Sequence, residues 1–534
     1  MATLAKDHGT TDLKAAMAAI VGSAHVRDDA DALALFSEDI WSVAEHRVAL
    51  IVAPGSVAEI QAVVRAATGA GAAIAPRGAG MGYTGSYLPA EAGTVALDMA
   101  RMNRILAINA ADMTVTVEPG VTWAALNAAL KAEGLRTPFW GPMSGLTSTI
   151  GGGLSQLNAM FGAGQHGTTS ESLIALTMVL ADGSLLKTGA RGPDGDSPFY
   201  RHYGPDLAAL FCGDSGVFGI KAEITLRLMR LPAHEDYVSF SFPDGASLLA
   251  AMAEVARSGI ACETCAFDPG LTKVRLKRAS LATDVKALSS VIAHEKSLGK
   301  GLMAAAKVAL GGRNFVEAGD YPLHVIAEGR SAAAVAADIA EARRIAVANG
   351  GHEIENTIAR MIRSMPFPPL NSMLGPEGEA WAPVHGMVAL SQAPRFFAEV
   401  SAYFAEMQPV FDAHGIYTGF LFTTVSTNAI TIEPVFYWPH GYRPIHASAV
   451  EAPHLARLPK LPANPAATAI VGDARRRVVE ICESLGGAHF QIGRSYPYRA
   501  SRDTASKALL DAIKREIDPQ GRFNPGGLGF GSNA

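Results

Sequence analysis

Cysteine is scarce. Cys212, Cys262, Cys265 and Cys482 are the only four in 534 residues, too few for a disulfide-stapled scaffold. Cys262 and Cys265 form a C-x-x-C, but no second pair and no flanking histidines complete a zinc site, so both read as small buried apolar residues. Charge is sparse as well: charged residues make up 18 %, and 45 Lys+Arg against 50 Asp+Glu leave a net charge of −5. That balance excludes a broad basic surface for phosphate backbones, and no nucleic-acid partner is expected. Long apolar runs are missing too. Stretches such as residues 173–181 fall far short of the ~20 residues of a spanning helix. The opening MATLAKDHGTTDLKAAMAAIVG lacks the basic head and apolar run of a secretory signal, so a cytoplasmic setting is expected.

What is present is apolar bulk. Residues of the AVILMFWYC set make up 49 %, enough for a large buried core in two or three domains. Residues 1–45 read as a helical lead-in. From 46 to 230, short strands alternate with amphipathic helices. Residues 50–53 form a strand ended by Pro54-Gly55. Ser56-x-x-Glu59 is a capping box before a helix with Val57, Ile60, Val63 and Val64 on one side. Strands follow at 72–76, 94–98 and 113–118, and a helix over 122–133 stops at Gly134. Residues 173–188 read as a hairpin turning at Asp182-Gly183. Composition shifts at Leu231-Pro232, and a region of mixed strands and Ala-rich helices follows. Pro459, Pro462 and Pro465 space an extended connector. Of two last helices, the second is capped by Asp503 and shows Leu509, Leu510, Ile513 and Ile517 as its apolar face, ending at Pro519.

Two stretches without bulky side chains carry the chemistry. The first is Arg77-Gly-Ala-Gly-Met-Gly-Tyr-Thr-Gly85. Its Gly80-x-Gly82-x-x-Gly85 fits the dinucleotide fingerprint, but no helical period follows, so the nicotinamide Rossmann reading fails. A glycine-dense loop can still hold a diphosphate through successive backbone N–H groups. The second runs from Pro142 to Gly153 and continues to Asn158 and His166-Gly167. It reads as another glycine loop closing on a ligand. Two such loops in one α+β domain suggest a long ligand between two subsections. Gly213-Asp-Ser-Gly216 resembles a protease nucleophile segment, but no histidine–aspartate frame accompanies Ser215.

These motifs, taken in order, resemble the vanillyl-alcohol oxidase / p-cresol methylhydroxylase flavoproteins. Pro76-Arg-Gly-Ala-Gly-Met-Gly82 resembles the diphosphate loop of that superfamily. Val95-Ala-Leu-Asp-Met-Ala-Arg-Met-Asn-Arg-Ile-Leu106, Val115-Thr-Val-Glu-Pro-Gly-Val121, Thr149-Ile-Gly-Gly152 and Gly213-Asp-Ser-Gly-Val-Phe-Gly-Ile220 resemble its next segments. Ile517-Asp-Pro-Gln-Gly-Arg-Phe-Asn-Pro-Gly526 resembles its closing one. The resemblance implies an α+β fold with a two-subdomain FAD-binding domain over residues 46–230. A cap domain over 231–480 would carry an antiparallel sheet, and residues 481–534 would return to the FAD domain. It places FAD against Pro76, Arg77, Gly78, Ala79, Gly80, Met81 and Gly82 at the diphosphate. Pro142, Thr149, Gly151, Gly152, Asn158, His166, Gly167, Gly216, Gly219 and Ile220 would line the rest. Met81 stands in a loop without histidine, which argues against a covalent flavin link there; His440 and His446 are the cap-domain alternatives.

The middle of the chain resembles the D-lactate/glycolate dehydrogenase branch, in His324-Val-Ile-Ala-Glu-Gly-Arg330 and Trp381-Ala-Pro-Val-His385. The strand region 423–433 has none of the histidines of that branch's metal segment, so no metal is expected. His385, Glu433 and Tyr437 are the polar candidates of the cap. Gly493-Arg-Ser-Tyr-Pro-Tyr-Arg499 resembles the phenol-oxidising branch, with Tyr498 and Arg499 as its pair and His489 nearby. Arg499 could clamp a carboxylate or steady a phenolate. The resemblance thus implies an FAD-dependent oxidoreductase acting on a small molecule. A 2-hydroxy acid such as D-lactate is the first expectation. A para-substituted phenol or aromatic alcohol is the alternative, and a non-redox flavoenzyme a third. Oxygen, a cytochrome or a quinone could each accept the electrons. A homodimer is admissible, but the sequence does not set oligomeric state.

Overall fold

The computed structural model describes residues 2–278 and 319–531, with side chains over 12–275 and 319–531. The chain divides into two compact units. One comprises residues 1–158, 169–230 and 490–534; the other comprises 159–168 and 231–489.

In the first unit, the apolar periodicity of residues 57–69 becomes the helix Val57–Gly69, burying Ile60, Val63, Val64 and Ala67. Each fully buried valine or isoleucine there contributes roughly 1.5–3 kcal/mol. Ser56 Oγ caps the helix by accepting from Glu59 N at 3.1 Å, while the Glu59 carboxylate accepts from Gly55 N at 2.8 Å. The return bond of the expected capping box therefore falls one residue upstream. This helix backs a four-stranded sheet in the order Val26–Arg27, Leu50–Val52, Val95–Asp98, Ile74–Arg77. The last three run parallel. Val26–Arg27 pairs antiparallel to Leu50–Val52, so the expected helical lead-in also supplies a strand edge. The closing segment adds a parallel bridge between Phe523 and Ile74. A second, antiparallel sheet runs Ile105–Asn109, Thr114–Val117, Ile220–Arg227, Leu173–Val179, Leu185–Lys187. The Asp182-Gly183 hairpin forms as its pattern predicts. Val52, Leu97, Val179, Ile220 and Phe523 share one core between the two sheets.

Two expectations need correction here. The second glycine stretch is not a loop throughout: Ile150–Gln156 is a short helix, with Thr149 Oγ1 accepting from Gly152 N at 3.2 Å. Its glycines serve close packing, since a Cβ at Gly151 would stand 2.6 Å from Pro119 Cβ and 2.9 Å from the Pro119 carbonyl oxygen. The helix Thr504–Ile517, capped by Asp503, only half-buries its expected apolar face, at Leu510, Ile513 and Ile517. Leu509 is 63 % exposed, and the buried residue is Lys514. Lys514 is inside because its ammonium has three acceptors: Val217 O at 2.6 Å, Asp518 Oδ2 at 2.6 Å and Phe523 O at 3.1 Å.

The second unit is built on an eight-stranded antiparallel sheet. Its order is His352–Ile354, His234–Phe242, Tyr321–Gly329, Glu263–Phe267, Tyr417–Val425, Ala429–Trp438, Ala380–Pro383, with Gly386–Ala389 also on Ala429–Trp438. Alternation along these strands separates two faces. Phe240, Leu323, Phe422 and Phe436 point to one face, where Phe397 of the helix Ala393–Ala413 packs on Phe422, and Phe404 of the same helix on Phe436. Register puts Glu235, Ser239, Glu263, Cys265, His324, Glu328 and Glu433 on the other. No helix among the described residues is long and apolar enough to cross a membrane.

Candidate functional site

A cleft opens in the first unit, the concave kind of surface on which ligands and cofactors bind. Three pieces of backbone frame it: the loop after the strand Ile74–Arg77, the start of the helix Ile150–Gln156, and the approach to the strand Ile220–Arg227. The loop is held from several directions. Gly80 adopts φ +73°, and a Cβ there would stand 2.3 Å from Arg77 Nη2, so both conformation and contact require glycine. The Tyr87 hydroxyl donates to Gly80 O at 2.5 Å. The Asp39 carboxylate accepts from Trp41 N at 2.9 Å, Ser42 N at 2.6 Å and Gly85 N at 2.6 Å.

Arg77 belongs to this scaffold. Its guanidinium donates to Leu35 O at 2.8 Å and lies 4.3 Å from the Phe36 ring centroid and 4.9 Å from that of Tyr87. Burial pulls its pKa down, partly offset by the Tyr87, Asp98, Asp39 and Glu38 charges. Other polar atoms of the cleft are unsatisfied. Ser86 and Ser215 line it, both are buried, and neither hydroxyl has a hydrogen-bond partner. A buried hydroxyl without a partner is costly. A ligand rich in hydroxyls and phosphate oxygens, such as FAD, fits that arrangement. A loop whose first glycine already faces Thr149 Oγ1 at 2.5 Å from its would-be Cβ fits it too.

Every residue expected to touch FAD lines this cleft except His166 and Gly167, which belong to the second unit. Sequence reasoning missed Ser86, Tyr87, Lys221 and Gln491, which also line it. The detectable signal was Lys221: a lysine inside the otherwise apolar start of a strand. It is buried and paired with Asp214 Oδ1 at 2.6 Å.

The second unit brings together three of the expected catalytic residues. His385 is 2 % exposed, and its Nε2 lies 3.0 Å from Glu433 Oε2. The His385 carbonyl accepts from His489 Nδ1 at 2.5 Å. Burial pushes the His489 pKa down to about 4, so it stays neutral at pH 7. Tyr437 is fully buried and stacks on Tyr417, ring centroids 4.9 Å apart. Tyr498 and Arg499 do not join the cleft lining. Arg499 makes a two-pronged ion pair with Asp511, at 2.9 and 2.7 Å, and Arg502 lies over the Tyr498 ring. His440 and His446 both engage backbone: Gly441 O lies 2.8 Å from His440 Nδ1, and Arg443 N donates to His446 Nδ1 at 3.1 Å.

The same sheet face holds a denser ionic cluster. Arg363, buried, binds Glu235 at 2.8 Å and Glu263 at 2.9 Å, and also Glu328. Burial lowers its pKa and the three carboxylates raise it; the carboxylates win, and it lies well above the usual arginine value. Cys262 and Cys265 are buried and join no disulfide among the described residues, and burial pushes Cys265 up to about 11. No group of three or more His, Cys, Asp or Glu among the described residues is arranged to hold a metal ion.

Comparison with known proteins agrees with the cleft. The FAD binding domain family matches residues 48–189. The 1'-carboxy-chondrochloren decarboxylase of Chondromyces crocatus is 34 % identical over 243 residues, 44 % of each chain. The mitochondrial D-lactate dehydrogenase [cytochrome] of Arabidopsis thaliana is 33 % identical over 194 residues, 36 % of this chain and 32 % of that one. The glycolate oxidase subunit GlcD of Bacillus subtilis is 30 % identical over 223 residues, 42 % and 46 %. The chain thus spans less than half the length of these curated relatives. Among solved structures, p-cresol methylhydroxylase with substrate bound superposes with a TM-score of 0.72 at 17 % identity, covering 98 % of this chain and 97 % of that one. The 4-ethylphenol oxidase of Gulosibacter chungangensis gives 0.68 at 18 %, covering 98 % of both. This chain therefore carries a FAD-binding domain and shares the fold of p-cresol methylhydroxylase.

Proposed function

We propose that the chain is an FAD-dependent oxidoreductase that oxidises the CH–OH group of a small hydroxylated substrate, a 2-hydroxy acid such as D-lactate being the first class to test. The observation that carries this reading is the buried His385–Glu433 pair, in a chain that also carries a FAD-binding domain. FAD, when bound, supplies the acceptor for a hydride. The chain must then hold the cofactor and remove the hydroxyl proton. Residues 78–82 would hold the diphosphate, with Thr149, Gly151 and Gly152 against the ribityl and flavin portions. His385 would take the proton. Glu433 accepts its Nε2–H, fixing the tautomer whose Nδ1 carries the lone pair, and stabilises the imidazolium that forms. The curated relatives that act on hydroxy acids support this choice over a phenol, for which the support is likeness of fold.

Anaerobic mixing of the FAD-loaded protein with D-lactate, glycolate and a p-alkylphenol tests it. The expected result is loss of the yellow flavin absorbance with a hydroxy acid. Bleaching by the phenol alone would transfer the assignment to that class, and no bleaching across a broad panel of both would refute the redox reading.

A further inference from the structure

The charged side chains lining the cleft are Arg77 and Lys221. Arg77 is occupied by the scaffold, as described. Lys221 is in a different condition. It stands on the strand Ile220–Arg227 with a side chain only 4 % exposed. An ammonium has three donors, and one goes to Asp214 Oδ1 at 2.6 Å. Among the described residues, the others have no acceptor. Asp214 is wholly buried, and its Oδ2 has no partner. The same unit shows what a satisfied buried lysine requires: Lys514 has one acceptor for each of its three donors. A buried ammonium left with two unused donors is unfavourable unless something completes it, and this one borders the cleft.

Its position narrows what that is. A Cβ on Gly216, in the segment joining Asp214 to Lys221, would stand 2.4 Å from the Pro76 ring. The segment therefore packs against the root of the glycine loop. The anionic part of oxidised FAD is its diphosphate, and a charge-assisted hydrogen bond to phosphate oxygen is the strongest use of a desolvated ammonium. We propose that Lys221, held in place by Asp214, is a cofactor-binding residue whose ammonium donates to an oxygen of the FAD diphosphate. Asp214 is the positioning residue of the pair. The proposal rests on the FAD-binding assignment of residues 48–189 and adds a second cation to the cleft beside Arg77.

The test is equilibrium binding of FAD and of riboflavin to the full-length apoprotein, read by flavin fluorescence at low and moderate salt. Lys221→Met is expected to weaken FAD binding about 10–100-fold and to flatten its salt dependence. Riboflavin, which has no diphosphate, should bind both proteins equally. Lys221→Arg should restore FAD binding to within a few-fold. If Lys221→Met does not fold, Lys221→Gln serves in its place. Equal FAD affinity of the variant and the natural chain would overturn the proposal. So would an equal loss for riboflavin, or a shifted flavin potential with unchanged affinity. If the natural chain itself takes up no FAD, the underlying assignment fails; if it binds and the variant binds equally, only the lysine proposal does.

Discussion

The cleft of the first unit is made mainly of backbone. Glycines, small hydroxylated residues and two charged side chains line it. The polar face of the second unit's sheet is made of side chains instead: one arginine among three glutamates, a histidine on a glutamate, and a second histidine on a backbone carbonyl. A backbone-built site needs local conformations that glycine and a capping threonine can encode within a dozen residues. A side-chain-built site needs strands far apart in sequence to meet in register. The first kind leaves a readable trace; the second leaves scattered polar residues.

Substitutions on either side should separate the two regions. The largest effect is expected from His385→Gln. It should slow flavin reduction by substrate about 10²–10⁴-fold while leaving bound FAD unchanged, as read by anaerobic stopped flow and flavin content. A variant that lost flavin in proportion to activity would erase the functional division. Arg363→Ala leaves three carboxylates without their buried cation and should destabilise the second unit by about 3–5 kcal/mol, visible as an early unfolding transition. Gly151→Ala should destabilise the first unit by about 1–3 kcal/mol and lower flavin retention, because the new Cβ meets the Pro119 carbonyl. Calorimetry should show that loss in a transition distinct from the one Arg363→Ala moves.

The mildest test is pH. Burial lowers His489 to about 4 and His324 to about 3, whereas an unfolded histidine titrates near ~6.5. Between those values the unfolded chain binds more protons, so stability is complete above pH ~6.5 and falls as pH drops toward 4. Urea midpoints at pH 7 and pH 5 should differ in that direction, and His489→Gln should reduce the difference. A first-unit transition that moved equally would contradict the assignment to these histidines.

Legibility followed the same division. The helix Val57–Gly69, the Asp182-Gly183 hairpin and the Asp503 cap were readable because each is a local pattern. The helix beginning at Ile150 was less so, because its run of three glycines carries poor helix propensity and its reason is contact with Pro119. The stripe from Leu509 misled only at its edge: Leu510, Ile513 and Ile517 are half-buried, Leu509 is exposed, and the deepest place goes to Lys514, whose ammonium finds three acceptors. Arg499 read as a ready clamp, but Asp511, twelve residues on, binds it on both prongs.

By itself the sequence determined where the Asp182-Gly183 hairpin turns, where the helix after Ser56 starts, and that a glycine-lined cleft would suit a long anionic ligand. Those features depend on backbone torsion and on periodicity, which neighbours in sequence control. Only the tertiary structure decided that Arg77 belongs to the scaffold, that Lys221 reaches the cleft with one of its three donors engaged, and that His385 meets Glu433. Charges and hydrogen bonds act over a few ångströms of space, and a linear chain does not record which distant groups will share that space.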